Sequence, residues 1–276
     1  MSVPFDASEG DTALEISSRR RPRSDQPAIL ITNDDGIESV GIQELARRLA
    51  KSYPVLVAAP EDQRSGAGTG IGYFDPRRGV NVEPVDLDGV NAYSIAGPPG
   101  LAVMAAMLGA FGDPPDLVVS GINAGINTGH SVIHSGTVGA VLTARTFGCD
   151  GLAVSLSSAE TWHWDTASVL AEAVTEWILD REGSCTTINL NVPALPLEEV
   201  RGFRWADLDE FGYFRVAMAD LQGKSLQFEV GAPDSGLDPA SDTALLREGF
   251  ATLTPLTTVE PSPFPDGCPE FPRLEN

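Results

Sequence analysis

The sequence predicts an α/β fold built on a mostly parallel sheet, and three observations carry that expectation. Short apolar runs of strand length recur at 28–32, 55–59, 116–120, 151–156 and 186–192. Stretches with apolar residues at helical spacing lie between several of them, and parallel strands require such crossovers. The loops leaving the first three runs are rich in Asp, Asn and Gly, which in a parallel sheet gather at one edge, where ligands bind.

Each element follows in order. Residues 1–27 are polar, with a cluster at Arg19, Arg20, Arg21 and Arg23. They are expected to form an unfolded extension, and no apolar stretch follows the arginines as a twin-arginine export signal requires. Ala28-Ile29-Leu30-Ile31-Thr32 reads as a buried strand, and Ile42, Leu45, Ala46 and Leu49 place a helix between Gly41 and Lys51. Tyr53-Pro54 breaks that pattern before a second buried strand at 55–59. A Gly-rich stretch covers 65–72, and 80–95 reads as one or two short strands with turns at Asp88-Gly89 and Gly97-Pro98. A helix rich in Ala, Leu and Met is expected at 99–111, a third buried strand at 116–120, a helix at 135–147 and a strand at 151–156. An amphipathic helix follows at 165–180, capped by Asp165 or Thr166 and with Trp177 in the core, and a strand at 186–192 closes the α/β part. Beyond about residue 200, the segments 203–205, 213–216 and 226–230 predict hairpins projecting from the core, and the last 16 residues a Pro-rich tail.

Composition narrows the function. The chain has 276 residues, 42% of them apolar, enough for a sizeable core. Eighteen basic residues stand against 39 acidic ones, a net charge of −21. Such a surface repels nucleic-acid backbone and anionic lipid, and no apolar run is long enough to span a membrane. A small phosphorylated ligand remains compatible where a cation offsets the local charge. Cys149, Cys185 and Cys268 form no Cys-x-x-Cys pair, so neither a zinc knuckle nor a disulfide framework is encoded, which fits a reducing, cytoplasmic compartment.

Chemistry concentrates in three loops. Asn33-Asp34-Asp35-Gly36 leaves the first strand, 60–66 the second, and the Asn and Gly series of 121–129 the third. Adjacent carboxylates repel one another unless a cation or hydrogen bonds neutralise them. Alone, Asp-Asp-Gly reads equally well as a solvated turn whose Asp caps a helix. Together, carboxylate, hydroxyl and amide oxygens are hard ligands suited to Mg²⁺, Mn²⁺ or Ca²⁺. Glycines among the asparagines let the backbone approach an anion, and a helix opening near Ser135 is expected to aim its N–H groups at it. His130 and His134, in a Gly-flanked loop, read as surface or pocket-lining imidazoles rather than a metal pair. His163, between Trp162 and Trp164, reads as part of a surface or interface patch.

These pieces resemble one family, the SurE-type (survival protein E) nucleotidases. The matching residues are Ile31-Thr32-Asn33-Asp34-Asp35-Gly36-Ile37 with Gly41-Ile42, then Ala59-Pro60 through Arg64-Ser65-Gly66, and Ser120-Gly121-Ile122-Asn123-Ala124-Gly125-Ile126-Asn127. Ser135-Gly136-Thr137-Val138, Ala153-Val154-Ser155-Leu156, Asn189 through Pro193, Ser241-Asp242-Thr243 and Thr254-Pro255-Leu256 continue the likeness in order over about 28–257. The resemblance implies a Rossmann-like three-layer sandwich and a metal-dependent phosphomonoesterase acting on nucleoside 5′- or 3′-monophosphates. It implies a Mg²⁺ or Mn²⁺ ion held by Asp34, Asp35, Ser65 and Asn123, with Asp34 and Asp35 catalytic. Asn33, Asn127, Ser135, Gly136 and Thr137 are implied to bind the substrate. It also implies a domain at 28–260, with an α/β core at 28–193 and a hairpin region at 200–260 that joins subunits into a dimer or tetramer. The chain departs from the family pattern at His130, His134 and Thr143-Ala144, which touches the pocket wall and hence substrate choice more than catalysis. A broader-specificity acid phosphatase and a non-catalytic metal- or nucleotide-binding homologue are the alternatives. An aspartyl-phosphate enzyme fits less well, because it expects Asp-x-Asp.

Overall fold

In the first strand, β1 (Ile29–Thr32), Ile29 and Ile31 join one buried cluster and Leu30 another. A strand that buries both faces belongs to a sheet covered on both sides. The computed structural model describes residues 26–73, 75, 77–210, 215–222, 225–231 and 236–258. The same alternation recurs in β2 (Val55–Pro60), β5 (Leu117–Ala124) and β6 (Asp150–Leu156). With β3 (Val82–Leu87), β4 (Val90–Ile95), β7 (Thr187–Val192), β8 (Phe203–Trp205) and β11 (Ala251–Pro255) they form a nine-stranded sheet in the order 3-4-2-1-5-6-7-11-8. The β3–β4 and β7–β11 pairs are antiparallel and the others parallel. β9 (Arg215–Gln222) and β10 (Ser225–Gly231) pair as a separate antiparallel hairpin.

Helices cover both faces. α1 (Val40–Leu49) buries Ile42, Leu45, Ala46 and Leu49, and α4 (Trp164–Leu179) buries Ala167, Ala171, Val174 and Ile178 against Ile29, Ile31, Val119 and Val154. On the other face, α2 (Pro99–Met107) and α3 (Gly136–Thr146) pack Ala102, Val103, Val138 and Val141 against Leu30, Ala58, Val118 and Ala153. The result is the expected three-layer α/β sandwich. α4 connects β6 to β7 yet shares the layer of α1, so this crossover has the opposite hand to the usual right-handed connection.

The connectivity creates the site. From β1 the chain moves outward to β2 and β4, then returns to lay β5 on the other side of β1. Thr32 pairs with Ser120 in register, so the turn after β1 and the end of β5 flank the point where strand order reverses. Crevices at such points are where α/β sheets bind ligands.

Several boundaries differ from the sequence reading. β5 continues to Ala124 with a register shift between Ser120 and Asn123, so Asn123 stands on a strand end rather than in a loop. Gly121 permits this: its φ is +140°, and a Cβ there would lie 2.3 Å from the Val154 carbonyl oxygen. α2 stops at Met107, well before residue 111. α4 starts at Trp164 after His163, without a side-chain cap, and Asp165 lies in its first turn. Trp177 is 37% exposed, and its ring meets Trp205 with centroids 5.6 Å apart, because the buried stripe of α4 runs through Ala171, Val174 and Ile178 instead. Segment 203–205, expected in a projecting hairpin, is an edge strand paired with β11, so the sheet draws on the last third of the chain. Trp162 and Trp164 stack at 4.9 Å on either side of His163 in sequence, partly buried against the core and partly exposed. Residues 1–25, 213–214 and 259–276, on which the extension, part of one hairpin and the tail were placed, lie outside the described residues. Among the described residues no helix is long and apolar enough to cross a membrane.

Candidate active site

Asp34 follows β1 by two residues and is 4% exposed. Burying a carboxylate is costly unless donors replace its water, and α3 supplies them. The Thr137 hydroxyl donates to Asp34 Oδ1, and the N–H groups of Gly136 and Thr137 point at the same carboxylate. Gly136 makes this approach possible, because a Cβ there would lie 2.7 Å from Asp34 Oδ2. Burial pushes the Asp34 carboxyl above its usual range, and these hydrogen bonds hold part of that rise back. The turn itself is shaped by Asn33, which is fully buried. Its Nδ2 donates to the Gly36 carbonyl at 2.9 Å and to Ser39 Oγ at 2.7 Å, while its Oδ1 accepts from Gly36 N.

Asp35 is half-buried and accepts from Ala124 N at 3.2 Å, which ties the β1 turn to the end of β5. Its carboxyl is also raised, first by burial and further by the neighbouring Asp34 charge, against the lowering effect of the Ala124 N–H. Arg64 N donates to the Asp34 carbonyl at 2.7 Å and brings in the loop after β2, whose Ser65 hydroxyl accepts from Gln63 Nε2. Asn123 commits its Nδ2 to the Gly125 carbonyl at 2.7 Å, leaving the amide oxygen as its remaining acceptor. Asp34, Asp35, Ser65 and Asn123 all line one cavity of about 790 Å³.

This donor set fits a hard divalent cation. It offers two carboxylates whose proton affinity is raised by burial, one amide oxygen and one hydroxyl, and among the described residues no Lys or Arg lines the cavity to neutralise them. Among the described residues no cluster of three or more His, Cys, Asp or Glu could hold a metal ion, so a cation here depends on the neutral oxygens of Ser65 and Asn123.

The expected substrate contacts divide. Ser135 and Asn127 line the cavity. Ser135 Oγ caps α3 by accepting from Val138 N, and Asn127 Nδ2 donates to Ser155 Oγ at 2.9 Å. Asn33, Gly136 and Thr137 do not line it. They stand behind the carboxylates, because the buried Asp34 and the turn that carries it take their hydrogen-bonding groups. At the helix N-terminus expected to meet a bound anion, Gly136 and Thr137 hydrogen-bond Asp34, while Ser135 faces the cavity. His130 and His134, expected as surface or pocket-lining imidazoles, are exposed and line the cavity from the 3-10 turn at Gly129–His134.

Three supporting residues had been given no role. Asn189 and Asn191 on β7 each donate Nδ2 to the Asn127 carbonyl at 2.8 Å, and Asn191 Oδ1 accepts from Asn127 N. Asp242, fully buried at the start of α5 (Asp242–Arg247), accepts from Gly129 N at 2.8 Å, Asp209 N at 3.1 Å and Thr243 N at 2.8 Å. Burial raises its carboxyl too, against the effect of those bonds. It fixes the wall that carries His130 and Glu210.

The family model for survival protein SurE matches residues 29–214. The chain is 38% identical over 236 residues to the 5′-nucleotidase SurE of Halorhodospira halophila, covering 83% of this chain and 90% of that protein. It is 37% identical over 234 residues to the 5′/3′-nucleotidase SurE of Erwinia tasmaniensis, covering 83% and 89%. The crystal structure of the SurE protein from Aquifex aeolicus matches with a TM-score of 0.71 at 26% identity, over 84% of this chain and 93% of that one. A switch-point cavity bearing Asp34, Asp35 and Asn123, on a sheet shared with that structure, agrees with the sequence match: the chain belongs to the SurE family.

Proposed function

We propose that this chain hydrolyses nucleoside 5′- or 3′-monophosphates to nucleoside and phosphate with the help of Mg²⁺ or Mn²⁺. The observation that carries the reading is that the buried carboxylate of Asp34 and the half-buried one of Asp35 line the same cavity as Ser65 and Asn123. Relatives in Halorhodospira halophila and Erwinia tasmaniensis are named as nucleotidases, which supports the substrate class. A cavity of about 790 Å³ lies in the usual range for small-molecule sites and leaves room for a base and sugar beside the phosphate.

Asp34, Asp35, Ser65 and Asn123 would hold the cation. When bound, it supplies Lewis-acid polarisation of the phosphoryl group and a more acidic water for in-line attack. Asp34 is held rigidly by α3, so its part is to fix position. Asp35 keeps one oxygen on the Ala124 N–H and is the less enclosed of the two, which suits it to take a proton from the attacking water. Asn127, which lines the same cavity and is pinned through its backbone by Asn189 and Asn191, would orient the substrate. We further assign the chain to the cytoplasm and the β9–β10 hairpin to a dimer or tetramer contact; a monomer by light scattering would overturn that assembly.

The test is phosphate release from a panel of nucleoside monophosphates and other phosphomonoesters with Mg²⁺, with Mn²⁺ and with a chelator. Release that requires the metal and favours nucleotides is the expected result. Tight nucleotide binding without release anywhere in the panel would make the chain a binding homologue instead.

A further inference from the structure

Among the described residues, no Lys or Arg lines the cavity. Of the described side chains that line it, Asp34, Asp35 and Glu210 are acidic, and His130 and His134 are able to become cationic. The N-terminus of α3, a natural phosphate site, directs the N–H groups of Gly136 and Thr137 and the Thr137 hydroxyl to Asp34. With three ionised carboxyls and one divalent cation the wall keeps a net negative charge, and a phosphomonoester brings two more. We propose that His130 and His134 supply the compensating charge: as imidazolium they receive the substrate's phosphate, so that affinity for phosphomonoesters rises with imidazole protonation. This rests on phosphomonoester hydrolysis as the reaction of the cavity.

The backbone presents these rings from a fixed support. The Gly129 N–H is bound by the Asp242 carboxylate at 2.8 Å and the His130 N–H by the Asp209 carbonyl at 3.0 Å. At the other end of the turn, the His134 carbonyl accepts from Gly68 N at 3.2 Å. The charged groups that share the cavity with the rings, among the described residues, are Asp34 and Asp35 from the β1 exit and Glu210 from the segment after β8. The Gly-rich loop 66–72 and the first turn of α3 bring no titratable side chain. The nearest arginine in sequence to Ser65, Arg64, lies 3.6 Å from Glu61 and does not line the cavity.

The experiment compares wild type with His130→Gln, His134→Gln, the double variant and His134→Lys, all loaded with Mg²⁺. KM and kcat for a nucleoside monophosphate are measured from about pH 5.5 to about 8.5, across the range in which imidazole titrates. In the wild type KM is expected to rise about tenfold over that range with kcat nearly constant, the loss of one charge-assisted contact. The double variant should show a high and flat KM, and His134→Lys should keep KM low at the alkaline end. The substrate's own ionisation is common to all variants, so the difference between profiles isolates the imidazoles. A double variant that reproduces the wild-type KM profile would overturn the proposal. Calorimetric binding of inorganic phosphate to the same Mg²⁺-loaded proteins reads the imidazoles without turnover. Should the wild type hydrolyse no nucleoside monophosphate, the reaction assigned above falls. An equal loss of phosphate affinity in the double variant would then still support the imidazoles, and an unchanged affinity would overturn them.

Discussion

Replacing Gly136 with Ala tests whether α3 exists to hold Asp34. A Cβ at this position would lie 2.7 Å from both the Cβ and Oδ2 of Asp34, and 3.0 Å from its Cγ. Relaxed carbon contacts need about 3.5 Å, so carboxylate and helix must separate by about 0.8 Å. That separation lengthens the bonds from the Gly136 N–H and the Thr137 hydroxyl and moves a proposed metal ligand relative to Asn123 and Ser65. Misplacing a reacting group by about 1 Å is worth about a hundredfold in rate, so kcat/KM should fall by about two orders of magnitude. Stability should change far less. Overpacking costs about 1–3 kcal/mol, and alanine in a helix returns up to about 1 kcal/mol relative to glycine. The assay pairs metal-dependent phosphate release with thermal melting. A Gly136→Ala protein that keeps activity within about threefold of wild type would refute the idea that this glycine sets the carboxylate's position.

Asp34→Asn and Asp35→Asn should each abolish metal-dependent phosphate release while leaving the melting transition cooperative; full activity in a folded Asp34→Asn protein would sink the metal reading. Adding Mg²⁺ or Mn²⁺ at about 100 times its Kd should stabilise the wild type by about 2.7 kcal/mol in chemical denaturation, and Asp34→Asn should lose that gain. Asp242→Ala leaves the N–H groups of Gly129, Asp209 and Thr243 without their acceptor, which should cost about 3 kcal/mol in the same measurement and raise KM with little effect on kcat. For pH, burial raises the carboxyls of Asp34, Asp35 and Asp242 in the folded state, so the folded chain binds their protons more tightly than the unfolded one. Their contribution to stability is therefore largest at and below the usual carboxylate range and is lost as pH rises through the raised values. With chelator present, the melting temperature should fall over that window, and Asp242→Asn should shallow the fall.

The fold was legible because burial leaves a periodic mark. Ile29, Leu30 and Ile31 form an unbroken apolar run because helices cover both sides of β1, and a sheet buried on both faces needs little else to be recognised. The edge strand at 203–205 was misplaced for the same reason in reverse. A three-residue strand exposed along its length carries no periodicity, and only its pairing with β11 defines it. Trp177 reads as core by its residue type, yet residue type says less than position on the helix, where Ala171, Val174 and Ile178 already fill the buried stripe.

The candidate site was legible in its ligands and not in its supports, and hydrogen bonding accounts for the difference. Asp34, Asp35, Ser65 and Asn123 could be gathered because strand order brings loop ends together whatever their side chains do. Where a polar group sends its bonds is decided by what is buried beside it. Ser135-Gly136-Thr137 reads as an anion-binding helix start, and it is one, but the anion it binds is a carboxylate of the same chain. Asn189 and Asn191 did leave a trace: in Thr187-Ile188-Asn189-Leu190-Asn191-Val192, polar residues alternate through a strand buried on both faces. Such a pattern requires partners on one face, and the Asn127 backbone is the partner. The same reasoning applies to His130 and His134. With Gly136 and Thr137 committed to Asp34, charge balance asks the cavity for another cation source, and among the described residues the imidazoles are the lining side chains able to provide it.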